Sequence, residues 1–361
     1  MKKSRMKKYR NRILGTLLGL IVILGAIIGS FCYHNLHWWE KDMAQIQKLG
    51  VMEQQVILPS GNIINYGELP GDGPALLLIH GQMGAWEDYA SVMPELHENW
   101  HIYAIDVYGH GESSHAEELY YLDRNGDDLI WFVEHVIQKE TVVSGHSNGA
   151  LTAAYIGAYG GDLIKGVVLE DPPVFSTQGE NWEQSFAYLD SFQNLHEYRL
   201  TEQTECWEAY YLRHCYWGQL FMPDAMPKIA DYAQQYYEKH PGEEVKVFFL
   251  PSSITTMFHY VTQYDMQYGE HFSDLTWNNG LTHQQLLSDL KVPCIYLHAK
   301  ESSSDNGVYL CAASREQAER AVALIGSHCQ LIETEDSSHN IHGLHTQIYV
   351  DAINQLLPEA L

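Results

Sequence analysis

The chain has 361 residues, of which 45% are hydrophobic and 19% charged, ordinary values for a globular protein that exclude a disordered or fibrous chain. Seven of the 21 basic residues precede position 13 with no acidic residue among them, which leaves 14 basic against 46 acidic residues in the rest. Such a negative body repels polyanions, so no nucleic-acid partner is expected.

Residues 1–35 are predicted to form a basic cytoplasmic tail and a membrane-spanning helix. The run from Ile13 to Phe31 has 19 residues without a charge, which is long enough to cross a bilayer. A cleaved signal peptide is the alternative, but its apolar region is normally about 7–15 residues and ends at a small-residue cleavage site. By the positive-inside rule, we expect a single-pass membrane protein with a cytoplasmic N-terminus and an extracytoplasmic body.

Strands and helices are predicted to alternate after a short polar helix at 39–50. The runs 51–58 and 63–69 flank a Ser-Gly-Asn turn and predict a β-hairpin. Apolar runs typical of buried parallel strands follow at 75–79, 101–107, 141–144, 164–169, 294–298 and 329–333. Helical patterns lie at 88–98, 127–138, 148–159, 314–325 and 346–357. This alternation predicts an α/β fold with a mostly parallel sheet and helices on both faces.

The alternation stops between about residues 172 and 290, where the chain is rich in aromatic, histidine and acidic residues. A segment this long is not a plain loop. We predict a helical cap at 172–290, inserted between two strands of a core made of 36–171 and 291–361. Its acidic residues are explained by solubility, and selection of cationic substrates is the alternative.

Six cysteines are dispersed along the chain without a Cys-x-x-Cys pair, so the sequence does not support a zinc site. Cys206 and Cys215 are close enough in sequence to form a disulfide bond in an oxidising compartment. The sequence alone leaves this bond open, because bonding depends on the separation of the two Cβ atoms.

The chemistry is concentrated in a Gly145-x-Ser147-x-Gly149 motif. An apolar strand precedes the motif, and a helix rich in small residues follows it. In this context the two glycines allow a tight turn from strand to helix that leaves Ser147 exposed above the sheet, a nucleophile elbow.

With three further motifs in the same order along the chain, the sequence resembles the α/β-hydrolase superfamily over about residues 53–357. His80-Gly-Gln-Met-Gly84 follows a strand, as does the family's oxyanion loop. The loop Asp106-Val-Tyr-Gly-His-Gly-Glu-Ser113 is similar to the family's Asp-x-x-Gly-x-Gly-x-Ser loop, to which we assign a structural role. The segment Glu335-Asp-Ser-Ser-His-Asn-Ile-His342 resembles the loop that carries the catalytic histidine.

The resemblance implies that Ser147 is the nucleophile and that His339 is its general base, because a serine hydroxyl needs a base to take its proton. His339 lies late in the chain, after a strand and before a helix, which fits the order of the superfamily. His342 and His345 are nearby rivals, for which a supporting or exposed position is expected.

The acid that would orient His339 is ambiguous. The family's usual Gly-x-x-Asp pattern falls here on Ala299-Lys-Glu-Ser302, so a serine occupies the acid position. Glu301 and Asp305 are nearby substitutes. Asp171 matches a second location known in the superfamily, after the preceding strand, and is the preferred candidate, although Asp-Pro-Pro also begins turns.

Backbone N–H groups of Gln82 and Asn148 are expected to form the oxyanion hole, where such donors stabilise the charge of a tetrahedral intermediate. The predicted function is hydrolysis of a carboxylic ester, or a related acyl bond, through an acyl-serine intermediate. The substrate is a small molecule or a lipid, and neither a metal nor an organic cofactor is expected. An aminopeptidase-like amide hydrolase and a non-catalytic, membrane-tethered binding protein are the alternatives.

Overall fold

The computed structural model describes residues 2–336 and 338–360, which form one eight-stranded sheet surrounded by helices. The strands are β1 (Met52–Ile57), β2 (Ile63–Leu69), β3 (Ala75–Ile79), β4 (His101–Ile105), β5 (Thr141–His146), β6 (Ile164–Glu170), β7 (Cys294–His298) and β8 (Cys329–Glu333). Their order is β1-β2-β4-β3-β5-β6-β7-β8. β1 and β2 pair antiparallel, β2 also pairs antiparallel with β4, and all other pairs are parallel. The predicted mostly parallel sheet is confirmed.

The sheet is buried on both faces because neighbouring residues of each central strand enter different cores. Leu77 of β3 packs in one hydrophobic cluster with Val143, whereas Leu76 packs in the other with Val142. All five residues of β3 are buried. A strand that is covered on both sides must be apolar at every position, which is why β3 is a continuous apolar run.

The described part of the chain contains fifteen α-helices. They are α1 (Lys2–Leu36), α2 (Glu40–Leu49), α3 (Met93–Leu96), α4 (Leu122–Phe132), α5 (Asn148–Tyr159), α6 (Gln193–Arg199), α7 (Trp207–His214), α8 (Tyr216–Phe221), α9 (Met226–Lys239), α10 (Ser252–Tyr260), α11 (Met266–Ser273), α12 (His283–Asp289), α13 (Arg315–Ile325), α14 (Ile341–Leu344) and α15 (Thr346–Gln355). Short 3₁₀ or π turns lie at Trp86–Ser91, Glu117–Leu119, Val133–Ile137, Gly161–Leu163, Gly179–Gln184, Tyr188–Phe192, Val261–Gln263 and Leu357–Glu359.

The chain between β6 and β7 contributes helices α6–α12 and no strand of the sheet. We call residues 172–290 the inserted segment. Cys206 and Cys215 lie at the two ends of α7, an eight-residue helix. Such a helix is about 12 Å long, beyond the roughly 7 Å that a disulfide allows between Cα atoms. The disulfide considered from the sequence is therefore excluded.

The N-terminal helix α1 contains a stretch, Arg10–Leu36, that is long and apolar enough to cross a membrane, and its most apolar part has a mean hydropathy of 2.5 and is not buried in the protein. Its last turn contacts the inserted segment, since Asn35 Nδ2 donates to the carbonyl of Phe248 at 3.1 Å. Trp39 then stacks on His259, with ring centroids 4.7 Å apart. The helix is thus joined to the body by specific contacts at its C-terminal end.

Candidate active site

Ser147 lies at a sharp turn between β5 and α5, with φ of 56° and ψ of −125°. Both flanking glycines are required sterically. A Cβ atom on Gly145 would lie 2.1 Å from the carbonyl oxygen of Gly149, and one on Gly149 would lie 2.3 Å from that of His80. The backbone N–H of Ser147 donates to the carbonyl of Glu170 at 2.9 Å. This geometry matches a nucleophile elbow and leaves the Ser147 side chain partly exposed.

Asp171 and His339 lie against each other, with 2.6 Å between Asp171 Oδ2 and His339 Nδ1. The Asp171 side chain is fully buried, and its Oδ1 accepts the backbone N–H of Ala299 at 3.0 Å. The other two acids considered from the sequence lie elsewhere. Glu301 accepts the backbone N–H of Arg315 at 2.7 Å, and Asp305 is exposed.

The electrostatic environment suits an ionised Asp171 beside a basic imidazole. Burial raises the pKa of Asp171, but His298 and His339, which face its two oxygens, outweigh this effect and hold the pKa below its ordinary value. Partial withdrawal from water lowers the pKa of His339, but the hydrogen bond and charge of Asp171, with the charge of Glu170, raise it above its ordinary value. The imidazole remains 44% exposed, so it can exchange protons.

The two residues expected at the oxyanion hole, Gln82 and Asn148, both line the cavity that contains Ser147. Asn148 is the first residue of α5, where a backbone N–H has no acceptor within the helix. The side chains of Gln82 and Asn148 are each fixed by a hydrogen bond to a tyrosine hydroxyl. Gln82 Nε2 donates to the Tyr264 hydroxyl, and Asn148 Nδ2 to the Tyr268 hydroxyl, each at 2.8 Å. The sequence contained no signal for these contacts, which come from the inserted segment.

Two buried histidines hold the loop that carries Gln82. His80 Nδ1 donates to the carbonyl of Gly81 at 2.7 Å, while its Nε2 accepts the backbone N–H of Val107 at 3.1 Å. His110 Nε2 accepts the backbone N–H of Met83 at 3.2 Å. Burial lowers the pKa of both histidines, so both rings are neutral at physiological pH, as these bonds require.

A buried pair of a histidine and a glutamate, for which the sequence contains no signal, lies beneath the His339 loop. His342 is fully buried, and Glu170 accepts both its backbone N–H at 2.8 Å and its Nδ1–H at 2.9 Å. Asp88 lies 3.7 Å from His342 Nε2. Burial lowers the pKa of His342, but the charge of Glu170 and contact with Asp88 raise it to about 10. His345, the other rival, contacts the exposed Asp336 at 2.8 Å.

A cavity of about 460 Å³ brings Ser147 and His339 together. Roughly half of its wall belongs to the inserted segment. The lining residues from that segment are Pro173, Thr177, Phe186, Ala187, Asp190, Ser191, Phe192, Trp217, Phe221, Met257 and Phe272. Among the described residues, no group of three or more histidine, cysteine or acidic side chains is arranged to hold a metal ion.

Sequence relatives are similar to the chain only in part. A protein of Haemophilus influenzae named as an esterase/lipase is 28% identical over 122 residues, which cover 34% of this chain and 40% of that relative. The 2-(acetamidomethylene)succinate hydrolase of Mesorhizobium japonicum is 29% identical over 101 residues, which cover 28% of this chain and 36% of that relative. The chain thus spans less than half the length of these two curated relatives.

The fold extends the similarity to most of the chain. The esterase EaEST of Exiguobacterium antarcticum superimposes with a TM-score of 0.61 over 85% of this chain and 100% of its own, at 14% identity. The sequence model of the family described as "alpha/beta hydrolase fold" matches residues 74–342. The chain therefore belongs to the α/β hydrolase fold family.

Proposed function

We propose that the protein is a serine hydrolase that cleaves carboxylic esters through an acyl-serine intermediate. One observation carries this proposal. Ser147, at its strained turn, shares a cavity with His339, whose Nδ1 lies 2.6 Å from the buried carboxylate of Asp171. Nucleophile, base and orienting acid are the three parts that this chemistry needs.

In the proposed reaction His339 takes the proton of Ser147 as the hydroxyl attacks the ester carbonyl. Asp171 keeps Nδ1 protonated and leaves Nε2 free to act as the base. The backbone N–H groups of Gln82 and Asn148 stabilise the oxyanion of the tetrahedral intermediate. His339 then protonates the leaving alcohol, and water releases the acyl group by the same steps in reverse.

The inserted segment acts in this proposal as a cap over a hydrolase core formed by 36–171 and 291–361. The support is its place in the chain and its share of the cavity wall. It contributes aromatic side chains such as Phe192 and Trp217 to the lining and also supplies Tyr264 and Tyr268, which hold Gln82 and Asn148. Substrate choice is therefore assigned to this cap.

We also propose that α1 is an uncleaved anchor that keeps the N-terminus in the cytoplasm and the catalytic body outside it. The apolar stretch in α1 is longer than the roughly 7–15 residues of a signal peptide. Seven basic residues precede its uncharged run, Ile13 to Phe31, which is typical of a cytoplasmic tail. The contact between Asn35 and Phe248 gives the end of the helix a role in the folded body.

Labelling by a serine-directed fluorophosphonate, together with hydrolysis of nitrophenyl esters of short, medium and long acyl chains, tests the proposal on the full chain in detergent. We expect Ser147→Ala to abolish labelling and to lower turnover by at least about a thousandfold. Ser191→Ala is the matched control, because Ser191 lines the same cavity and has no proposed catalytic role. Turnover that survives Ser147→Ala would refute the mechanism, and an amide substrate would then be tested.

A further inference from the structure

The wall of the cavity is largely aromatic and carries no lysine or arginine side chain among the described residues. The aromatic residues that line it are Phe186, Phe192, Trp217, Phe221 and Phe272. Four of them form two pairs, with ring centroids 5.4 Å apart for Trp217 and Phe221 and 5.1 Å apart for Phe192 and Phe272. Among the described residues, neither a lysine nor an arginine lines the cavity. Apart from His146 and His339, the wall therefore offers no group that would neutralise a carboxylate or phosphate on a substrate.

One carboxylate, that of Asp190, lies among these rings. Its side chain is nearly buried, with 8% of the residue surface exposed. Oδ1 accepts the backbone N–H of Trp217 at 2.7 Å, and Oδ2 accepts the Tyr211 hydroxyl at 2.7 Å. In the part of the chain that the structure describes, no lysine, arginine or histidine lies within ion-pair distance of Asp190. The bond to Trp217 holds the carboxylate beside one of the aromatic walls.

A buried carboxylate without a counter-ion is costly, and burial raises the pKa of Asp190 accordingly. A cation in the cavity would relieve this cost. Aromatic faces also attract cations, and they do so more strongly where water is excluded. The surrounding body has 14 basic against 46 acidic residues beyond the N-terminal tail, so its field draws cations towards the cavity and repels anions.

We propose that the cavity binds esters that carry an ammonium group, quaternary or protonated, with Asp190 and the aromatic walls as the cation subsite. This inference rests on the proposed serine esterase and specifies its substrate class. Asp190 and Trp217 contact the cationic part, while Ser147, which lines the same cavity, attacks the ester carbonyl. An anionic ester of the same size is excluded by charge.

The test compares three butyrate esters on the full chain in detergent. The alcohols are choline, 3,3-dimethylbutanol, which has the same shape without the charge, and a carboxylate-bearing alcohol of similar size. We expect kcat/KM for the choline ester to exceed that for the neutral isostere by about tenfold, chiefly through KM, in line with a cation–π contact reinforced by a carboxylate. The anionic ester should be the poorest of the three.

Asp190→Asn should bring the ratio of the charged to the neutral ester close to unity, whereas Asp224→Asn should leave the ratio unchanged. Asp224 is an exposed acid of the same segment outside the cavity lining. A third measurement needs no variant. Tetramethylammonium should inhibit hydrolysis of the neutral ester competitively, and tert-butanol should not.

Equal kcat/KM for the charged and neutral esters, or a ratio that Asp190→Asn leaves intact, would overturn the cation subsite. Failure of the esterase itself has a different signature. None of the three esters would be hydrolysed, or their hydrolysis would survive Ser147→Ala.

Discussion

Ser147 and Asp171 are both held with a positive backbone φ angle, at 56° and 42°. Outside glycine, such conformations cost of the order of 1–3 kcal/mol each and persist where the surrounding structure imposes them. Here the surroundings are hydrogen bonds to neighbouring strands. Ser147 N–H donates to the carbonyl of Glu170, and Asp171 N–H to the carbonyl of Leu297. Backbone strain therefore coincides with the two residues to which nucleophile and acid are assigned.

Asp171→Asn is expected to lower kcat by roughly 10³–10⁴-fold, because an asparagine does not stabilise the imidazolium that forms during the reaction. Asp305→Asn is the matched control and should change kcat by less than about twofold, as an exposed substitution does. Steady-state kinetics on a nitrophenyl ester measures both. Full activity in Asp171→Asn would mean that another acid orients His339.

We expect kcat/KM to fall as the pH is lowered, with the midpoint of this fall above about pH 6.5, the ordinary pKa of histidine. His339 acts only when neutral, and Asp171 raises its pKa, so activity should appear at a higher pH than an isolated histidine would allow. In Asp171→Asn, which lacks the carboxylate charge, the midpoint for the remaining activity should lie at a lower pH. In Glu301→Gln the midpoint should not change. The same midpoint in the wild type and in Asp171→Asn would contradict the assignment of Asp171 as the partner of His339.

The sequence was sufficient to predict the sharp turn at Ser147, because Gly145 and Gly149 reveal its local geometry. The preference for His339 depended on its position after the last strand, and the structure places it in the cavity of Ser147. The acid remained one of three candidates, since the loops after β6 and β7 both lie near the His339 loop and only three-dimensional distances separate them. Tyr264 and Tyr268 could not be foreseen, as their contacts cross more than a hundred residues of sequence.

At the level of elements, the end of β6 is joined to the His339 loop by two adjacent ion pairs. The consecutive acids Glu170 and Asp171 face His342 and His339, which are three residues apart. Glu170 ends β6, whereas Asp171 lies just beyond the strand with a φ of 42°, and His339 but not His342 lines the cavity. Glu170 and His342 therefore position the loop, and in the proposed mechanism Asp171 orients the base.

Glu170→Gln should lower the free energy of unfolding by about 3 kcal/mol, since it leaves the buried charge of His342 without its main partner. Glu335→Gln, in the same loop but exposed, should change it by less than about 0.5 kcal/mol. Urea denaturation at neutral pH measures both. Equal stability of the Glu170→Gln variant and the wild type would show that the pair adds no net stability.

The same pair predicts how stability depends on pH. The pKa of His342 is raised to about 10 in the folded state, against about 6.5 in an unfolded chain. The stabilisation is therefore complete below about 6.5 and is lost as the pH rises towards 10. His342→Gln should be less stable than the wild type at pH 6 and show a flatter decline from about pH 6.5 to 10. Parallel declines in the two proteins would contradict this origin.

The strands were predicted more accurately than the helices of the inserted segment. β3, β7 and β8 have the predicted bounds, because buried strands are short apolar runs between turn residues. The predicted helix at 88–98 is instead a 3₁₀ turn, Trp86–Ser91, followed by α3. Within 172–290 only a helical character was predicted, since α6–α12 pack on one another and on the core without a periodic signal that sets their order in space.

Across the whole molecule, the N-terminal segment that contains α1 and the cavity meet at one helix, α10. Met257 of α10 lines the cavity, and His259 of the same helix stacks on Trp39, which follows the apolar stretch of α1. The body is therefore connected to α1 by side-chain contacts and not by a flexible linker alone. Under the proposed topology the cavity lies close to the membrane surface, and the contacts of Asn35 and Trp39 keep it there.

The anchor makes a final prediction about the intact chain in its own membrane. We expect the protein to stay in the membrane pellet after alkaline carbonate extraction, because the apolar stretch of α1 binds the hydrocarbon core. The mass of the protein isolated from the membrane should include the basic residues before position 13. A protease added to the extracytoplasmic side should remove the body and spare the tail.

The control is a variant in which Leu18 and Leu24 of that stretch are replaced by arginine. This variant should be released from the membrane on extraction. A mature chain that lacks the first thirty or so residues would instead identify α1 as a cleaved signal peptide. In that case the contact of Asn35 with Phe248 would be lost or confined to the precursor, and the cavity would have no fixed relation to the membrane. Protection of the body from the added protease would reverse the proposed orientation while leaving the anchor itself in place.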